Sequence, residues 1–391
     1  MDLELQPYQV SIYRGGTSKG IYIKENELPK DIEMRKEVIR RIFGSPDTRQ
    51  IDGLGGADVL TSKLAIIGPS TRPDCDIDYT FAQVSFDTDL VDFGGNCGNI
   101  SAGVGPFAID HGLVAAVEPV TTIRIHQVNT GCVLISRVPV CGGKAKVFGD
   151  CHIDGVPGTG APIQLDFADT CGSTTGHMLP TGNPVDEIVT EAGRHYEVSI
   201  VDAGVVTVFV EARSLGMIGT ESCAEIDKNA ALSAEIEAIR SACAVKIGMA
   251  ASCEEATKSS AYAPFFAIVS PPADYVCEAN GKHVSAKDVD LVARLSFMLH
   301  MHKAYPGTGT TATGAAAHIP GTLVHRQLSK EARMHTKLRI GHPSGMIEVN
   351  VEPAAQAGAI GFSEICYTRT ARRILEGTVY IRSFTGDTAS K

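Results

Sequence analysis

Tryptophan is absent from the 391 residues. No stretch approaches the ~18 consecutive apolar residues of a membrane-spanning helix, which excludes a reading as a helical membrane protein. Basic residues are in the minority, 35 Lys and Arg against 45 Asp and Glu, for a net charge of −10. Non-specific nucleic-acid binding needs a basic face, so that class is disfavoured. A small anionic substrate stays compatible, because a local site can be positive within an acidic protein. The eleven cysteines include no CxxC pair, so a zinc ribbon or a thioredoxin-type motif is not expected. An odd, dispersed set also reads poorly as a disulfide framework. The opening MDLELQPYQV has neither a basic n-region nor an apolar h-region of a signal peptide. These features together predict a cytoplasmic, reducing setting with mostly free thiols.

Hydrophobic content of 43% and charged content of 20% provide material for more than one core, and the length favours two domains. The pattern is strand-rich. QVSIYR near the start, SKLAIIG at 62–68 and DYTFAQVSF at 78–86 read as strands, the last with Ala82, Val84 and Phe86 on one side and Gln83 and Ser85 on the other. A helix is predicted from Lys30 to Phe43, with Val38, Ile39, Ile42 and Phe43 on one face and Gly44 as its stop. A second, from about Asn99 to His111, is apolar and built from small residues. In the second half, YEVSIVD, VVTVFVE and PFFAIVS read as strands, and Asn229 to Met249 as an amphipathic helix. The class is therefore α+β.

An internal echo links the halves. GNISAGVGPFAIDHGLV (98–114) and GTTATGAAAHIPGTLV (309–324) each run from a Gly and small-polar loop through a small-residue helix to an apolar strand start. This predicts two related domains, each a curved sheet around a central helix. Such a helix must be thin and apolar all round, so Ala102, Gly103, Gly105 and Ala315 to Ala317 read as packing. The boundary is expected near 175–195, where CGSTTGHMLPTGNP is rich in turn residues.

Four stretches carry chemistry. In DFGGNCGN (92–99), Cys97 precedes a helix start, where the partial positive charge of the helix terminus favours a thiolate. RGGTSKG (14–20) gathers backbone N–H groups, the hydroxyls of Thr17 and Ser18 and a cation, which suits a carboxylate or phosphate; the Walker spacing is absent. In DGLGGADVLTSKLAIIG (52–68), Lys63 lies in an apolar strand, either solvated or held for a purpose. In GHPSGMIEV (341–349), His342 and Ser344 sit in a turn and could donate hydrogen bonds to a carboxylate. A Cys97–His342 protease-like dyad is the other reading, but no flanking pattern of a Cys hydrolase accompanies it.

Together and in this order, YRGGTSKG, DGLGGADVLTSK, FGGNCGN and GHPSGMIEV resemble the 2-methylaconitate cis-trans isomerase family, which includes 4-oxalomesaconate tautomerase and 3-methylitaconate Δ-isomerase. The likeness runs from Tyr13 to about Val351 and looks strongest to the methylitaconate branch. It implies the diaminopimelate epimerase-like fold: two similar domains, expected at 1–185 and 186–391 with the chain's end packing back on the first, and an active site in the cleft between them. It also implies that no cofactor or metal is used, and leaves self-association open. Epimerase relatives use one Cys per domain. Cys97 matches the first, but the echo places Thr308 at the second, and a hydroxyl is too weak an acid–base to replace a thiol. In this family Lys63 matches the proposed partner.

The implied reaction is a 1,3-proton shift in a small unsaturated di- or tricarboxylate through a dienolate. Cys97 and Lys63 handle the proton, in an order the sequence leaves open, or a single base carries it between the two carbons. Lys63 must be neutral to act as base, which desolvation in a closed cleft would favour. Thr17, Ser18, Ser62, Asn96, Gly98, Asn99, Gly309, Thr310, His342 and Ser344 are the expected carboxylate contacts, with N–H groups at two helix starts among them. Two other classes compete. A two-thiol racemase needs a Cys that is missing between 277 and 366; a non-catalytic dicarboxylate-binding protein would keep the motifs without turnover.

Overall fold

A computed structural model describes residues 4–260, 262–354 and 360–384. The chain forms two compact units. One comprises Met1–His152, Gly158–Leu165 and Arg369–Lys391; the other comprises Ile153–Pro157 and Asp166–Thr368.

In the first unit, β1 (Leu5–Gly15) and β2 (Ser18–Lys24) form an antiparallel hairpin. The other edge of β1 pairs with the strand Ala371–Arg382. Helix α1 (Ile32–Phe43) follows β2; the Asp31 carboxylate accepts the Met34 N–H at its start, and Gly44 (φ +74°) closes it. Next, β2 lies parallel to β3 (Lys63–Pro69), which runs antiparallel to β4 (Ile77–Val84). The short β5 (Val91–Asp92) leads into helix α2 (Gly98–Asp110). Then β6 (Val120–Gln127) pairs with β4 and with β7 (Cys132–Cys141).

Helix α2 packs against β1, β2, β3, β7 and the last strand. Residues 98–109 are all buried. Its glycines are spacers: a Cβ at Gly103 would lie 2.3 Å from Tyr22 Oη, and one at Gly105 would lie 2.7 Å from Val138 Cγ2. The small residues thus set how closely the sheet can wrap, as the sequence predicts.

The second unit repeats this with different strands. His195–Ala203, Val205–Glu211, Phe265–Ser270, Leu291–Phe297, Lys337–His342 and Gly345–Pro353 pair in that order. Its central helix, Gly307–Ala317, is buried along its whole length and packs on both ends of that series. Gly204 (φ +71°) passes its start so closely that a Cβ would lie 2.7 Å from the Thr308 carbonyl oxygen. The outer helix, Ala230–Lys246, buries Ile236, Ile239 and Cys243 against Ile200, Val208 and Phe266. It ends three residues before the predicted Met249, because Gly248 takes φ +75° and breaks the helix.

Candidate active site

The first unit brings three of the four motifs together. Gly15 and Ser18 are paired across the β1–β2 hairpin, so Gly16 and Thr17 form its tip. The tip lies on the first turn of α2: a Cβ on Gly15 would come 2.3 Å from the Asn99 carbonyl oxygen, and one on Gly16 (φ +50°) would come 2.2 Å from Asn99 Oδ1. That approach is the physical reason for the paired glycines. The Thr17 N–H donates to Asn99 Oδ1 at 3.4 Å, and Asn99 Nδ2 donates to Thr17 Oγ1 at 3.0 Å. Arg369 Nε also donates to Asn99 Oδ1, at 3.1 Å, which fixes the orientation of the amide. Thr17 Oγ1 is therefore an acceptor towards Asn99, and its own proton is directed elsewhere. Ser18 is buried, and its hydroxyl has no hydrogen-bond partner among the described residues.

Cys97 is the N-cap residue of α2, extended (φ −128°, ψ 105°) and partly exposed. Its carbonyl accepts the Ser101 N–H and hydroxyl, both at 2.9 Å, and Asn96 Oδ1 accepts the same hydroxyl at 3.3 Å. No side chain caps this helix. Tyr22 lies beneath the first turn with its hydroxyl donated to the Ile100 carbonyl at 2.5 Å. Burial, with the nearby Cys97 adding to it, holds the Tyr22 hydroxyl well above the ordinary phenol range, so it stays a donor.

Lys63 opens β3 and is 4% exposed, which rules out the reading as a solvated edge lysine. Its Nζ donates to Gln83 Oε1 at 2.7 Å and stands 5.4 Å from the centre of the Phe81 ring. Gly20 is where β2 packs close to both α2 and β3, since a Cβ there would meet Ile100 Cδ1 of α2 (2.8 Å) and the Lys63 carbonyl (2.9 Å). Ser62 gives its hydroxyl to Gln50 Oε1 at 2.6 Å, so this proton is committed to the loop. Gln50, at φ +46°, also accepts the Ala57 N–H at 2.8 Å, and organises the segment that delivers Ser62 and Lys63.

In the second unit, the central helix is also without a side-chain cap, and its N-cap is Pro306. The echo therefore slips by two residues: Cys97 is a cap, whereas Thr308 lies inside the first turn. Thr310 turns inward, its N–H (2.8 Å) and hydroxyl (3.0 Å) both donating to the Pro306 carbonyl. Gly309 is in the first turn. His342 ends one of two paired strands and Ser344 lies in the turn between them, both buried. The Ser344 N–H donates to His342 Nδ1 at 3.2 Å, which leaves Nε2 as the protonated nitrogen of the neutral ring. The Ser344 hydroxyl donates to the Lys303 carbonyl at 2.5 Å. Asp154 accepts the Met346 N–H at 2.8 Å and braces the same turn.

The two central helices stand apart from the others. The remaining five α-helices among the described residues all carry a side-chain cap, from Asp31, Ser222, Asn229, Ser252 and Thr322. An uncapped start leaves backbone N–H groups and the positive end of the helix dipole to an anion. Among the described residues, no cluster of three His, Cys, Asp or Glu is placed to hold a metal ion, and no helix is long and apolar enough to cross a membrane.

Residues 7–382 match the family model described as PrpF protein. The chain belongs to the PrpF protein family. A 3-methylitaconate isomerase of Eubacterium barkeri is 55% identical over 95% of this chain and 96% of its own length. A 2-methyl-aconitate isomerase of Cupriavidus necator is 40% identical, covering 94% and 95%. A 4-oxalomesaconate tautomerase of Pseudomonas putida is 38% identical, covering 95% of each. Among solved structures, a methylitaconate-delta-isomerase superposes with TM-score 0.81 at 54% identity, covering 97% of this chain and 96% of that one. A hydroxyproline epimerase from Agrobacterium vitis, at TM-score 0.55 and 12% identity over 96% and 92%, shares the fold alone. The expected fold class holds: this PrpF chain has the α+β, epimerase-like architecture.

Gln83, Gln50 and Arg369 were not singled out by the sequence. Gln83 is read from the sequence only as one residue on a face of its strand; the register that sets it opposite Lys63 is seen in the structure. Arg369 lies 270 residues from Asn99, and no sequence signal joins them.

Proposed function

We propose that the protein is an isomerase that moves a carbon–carbon double bond in a small unsaturated dicarboxylate, converting 3-methylitaconate to 2,3-dimethylmaleate. The observation that carries this reading is the 55% identity to a 3-methylitaconate isomerase across nearly the full length of both chains. The site supports it with a buried amine and a partly exposed thiol in the same unit, and with an uncapped helix start beside the thiol.

The chemistry balances without an oxidant or reductant. A base removes the proton from the carbon that bears the methyl and a carboxylate. The electrons spread over the allyl unit and its carboxylate as a dienolate. A proton then adds at the former methylene carbon, which becomes a methyl group, and the double bond lies between the two substituted carbons. One proton leaves and one arrives. Lys63 and Cys97 are the pair assigned to these transfers. The first-turn N–H groups of α2 and the hydroxyls of Thr17 and Ser18 hold a carboxylate and stabilise the anion as it forms. In the second unit, His342 Nε2 and the first turn at Gly307–Gly309 are the groups offered to a carboxylate. The eleven cysteines are all free thiols, and we place the reaction in the cytoplasm.

The second reading, a 2-methylaconitate isomerase or an oxalomesaconate tautomerase, is favoured by relatives of 40% and 38% identity; both reactions pass through a related anion. Turnover of the three substrates in deuterated water separates them. Deuterium at the new methyl carbon of dimethylmaleate is expected. Ligand binding with no isotope uptake from any of the three overturns the assignment as an enzyme of this class.

A further inference from the structure

We propose that Gln83 is the residue that positions Lys63 for proton transfer. The inference rests on the assignment of Lys63 as an acid–base, and extends it to a neighbour reached only through the strand register. Lys63 and Gln83 face each other directly across the antiparallel β3–β4 pair. Both are 4% exposed, and Nζ meets Oε1 at 2.7 Å.

The amide cannot present its other face. Gln83 Nε2 donates to the Ser62 carbonyl at 3.0 Å and to the Val59 carbonyl at 3.3 Å. A flipped amide would set its oxygen against two carbonyl oxygens and its NH₂ against the lysine. Oε1 is thus a fixed acceptor, built into the same segment that Gln50 ties down through Ser62. One N–H of Lys63 is held towards β4, which limits rotation about the Cε–Nζ bond and aims the remaining positions of the nitrogen. The Phe81 ring occupies the same face of β4, two residues away.

Amide chemistry suits this task. A carbonyl oxygen accepts from an amine and from an ammonium alike, so the contact persists before and after the proton moves. A carboxylate at the same place would favour the ammonium and oppose base action. Gln83 is a positioning residue, since it acts through Lys63 rather than on substrate.

The test is a double-mutant cycle on the full chain, with 3-methylitaconate as substrate and thermal unfolding as a check that each variant is folded at the assay temperature. Gln83→Leu removes the acceptor; Gln83→Met, unbranched and of similar length, is the second variant should leucine prevent folding. The expected result is a fall in kcat of about 10- to 100-fold with KM changed less than about 2-fold, as for an interaction that matters in the transition state. In a Lys63→Ala background the same substitution should change the residual rate less than about 2-fold, because its effect passes through the missing amine. A folded Gln83 variant with wild-type kcat overturns the inference. So does a further 10-fold loss in the Lys63→Ala background. If Lys63→Ala alone keeps the wild-type rate, the assignment of Lys63 itself fails, a different result from failure at Gln83 alone.

Discussion

Replacing Gly103 by alanine tests whether the thinness of α2 is what places the Cys97 helix start. The added Cβ would stand 2.3 Å from Tyr22 Oη and 2.7 Å from Cζ. Tyr22 has little room to retreat: it is fully buried, with the Tyr13 ring 4.9 Å and the Phe107 ring 6.0 Å away. Overpacking of this kind costs about 1–3 kcal/mol. Displacing the Tyr22 hydroxyl from the Ile100 carbonyl costs about 1 kcal/mol more. Alanine recovers about 1 kcal/mol of helix propensity over glycine. The net expectation is a destabilisation of about 1–3 kcal/mol, the sum of these three contributions.

The assay is urea unfolding, comparing midpoints at unchanged slope. Gly377→Ala is the control, since nothing lies within 4 Å of a Cβ there and it should be neutral or slightly stabilising. In a Tyr22→Phe background the nearest clashing atom is gone, and Gly103→Ala should cost less than in the wild type. Turnover should fall with stability, because a shift approaching 1 Å in a catalytic group can cost on the order of 100-fold in rate. A Gly103→Ala protein as stable and as active as the parent would refute the reasoning that close packing sets the position of the helix start.

Other outcomes follow from the same geometry. Cys97→Ser and Lys63→Ala should each lose more than about 100-fold in turnover while unfolding near the parent midpoint, because removal of one acid–base group typically costs that much or more; a near-normal rate in Cys97→Ser excludes the thiol. Ser18→Ala removes a buried hydroxyl that has no partner, so stability should hold or rise by about 1 kcal/mol, while KM rises if a carboxylate is its partner in the complex; an unchanged KM removes Ser18 from the site. Cys223 is pushed up to about 12 from 9.0, by burial first and then by Glu278. It should resist alkylation at pH 9 where exposed Cys141 reacts. Its folded state keeps the proton that the unfolded chain gives up, so its contribution to stability is complete below about pH 9 and declines from there towards pH 12. Labelling of Cys223 in the native protein as fast as Cys141 would contradict its burial.

How much of this was legible in the sequence depends on the kind of constraint. The central helices were readable because a helix enclosed on all sides leaves a compositional mark: Gly103, Gly105 and Gly314 stand where a Cβ would meet a neighbour. The end of α1 was readable because Gly44 takes a conformation that few other residues tolerate. The Lys63 environment was not readable. Its setting depends on which residue of β4 lies opposite, and a one-residue slip in that register would replace Gln83 by Ala82 or Val84 and remove the Gln83 contact. Gln50 was hidden for a related reason: its role comes from a left-handed backbone at a residue other than glycine, which no local pattern announces. The echo between the two halves found both central helices but placed the second start two residues late, since it aligned glycines whereas the cap is Pro306. The thiol and the amine are conspicuous as residue types, whereas the glutamine that meets the amine at 2.7 Å is one strand residue among others until the register sets it opposite.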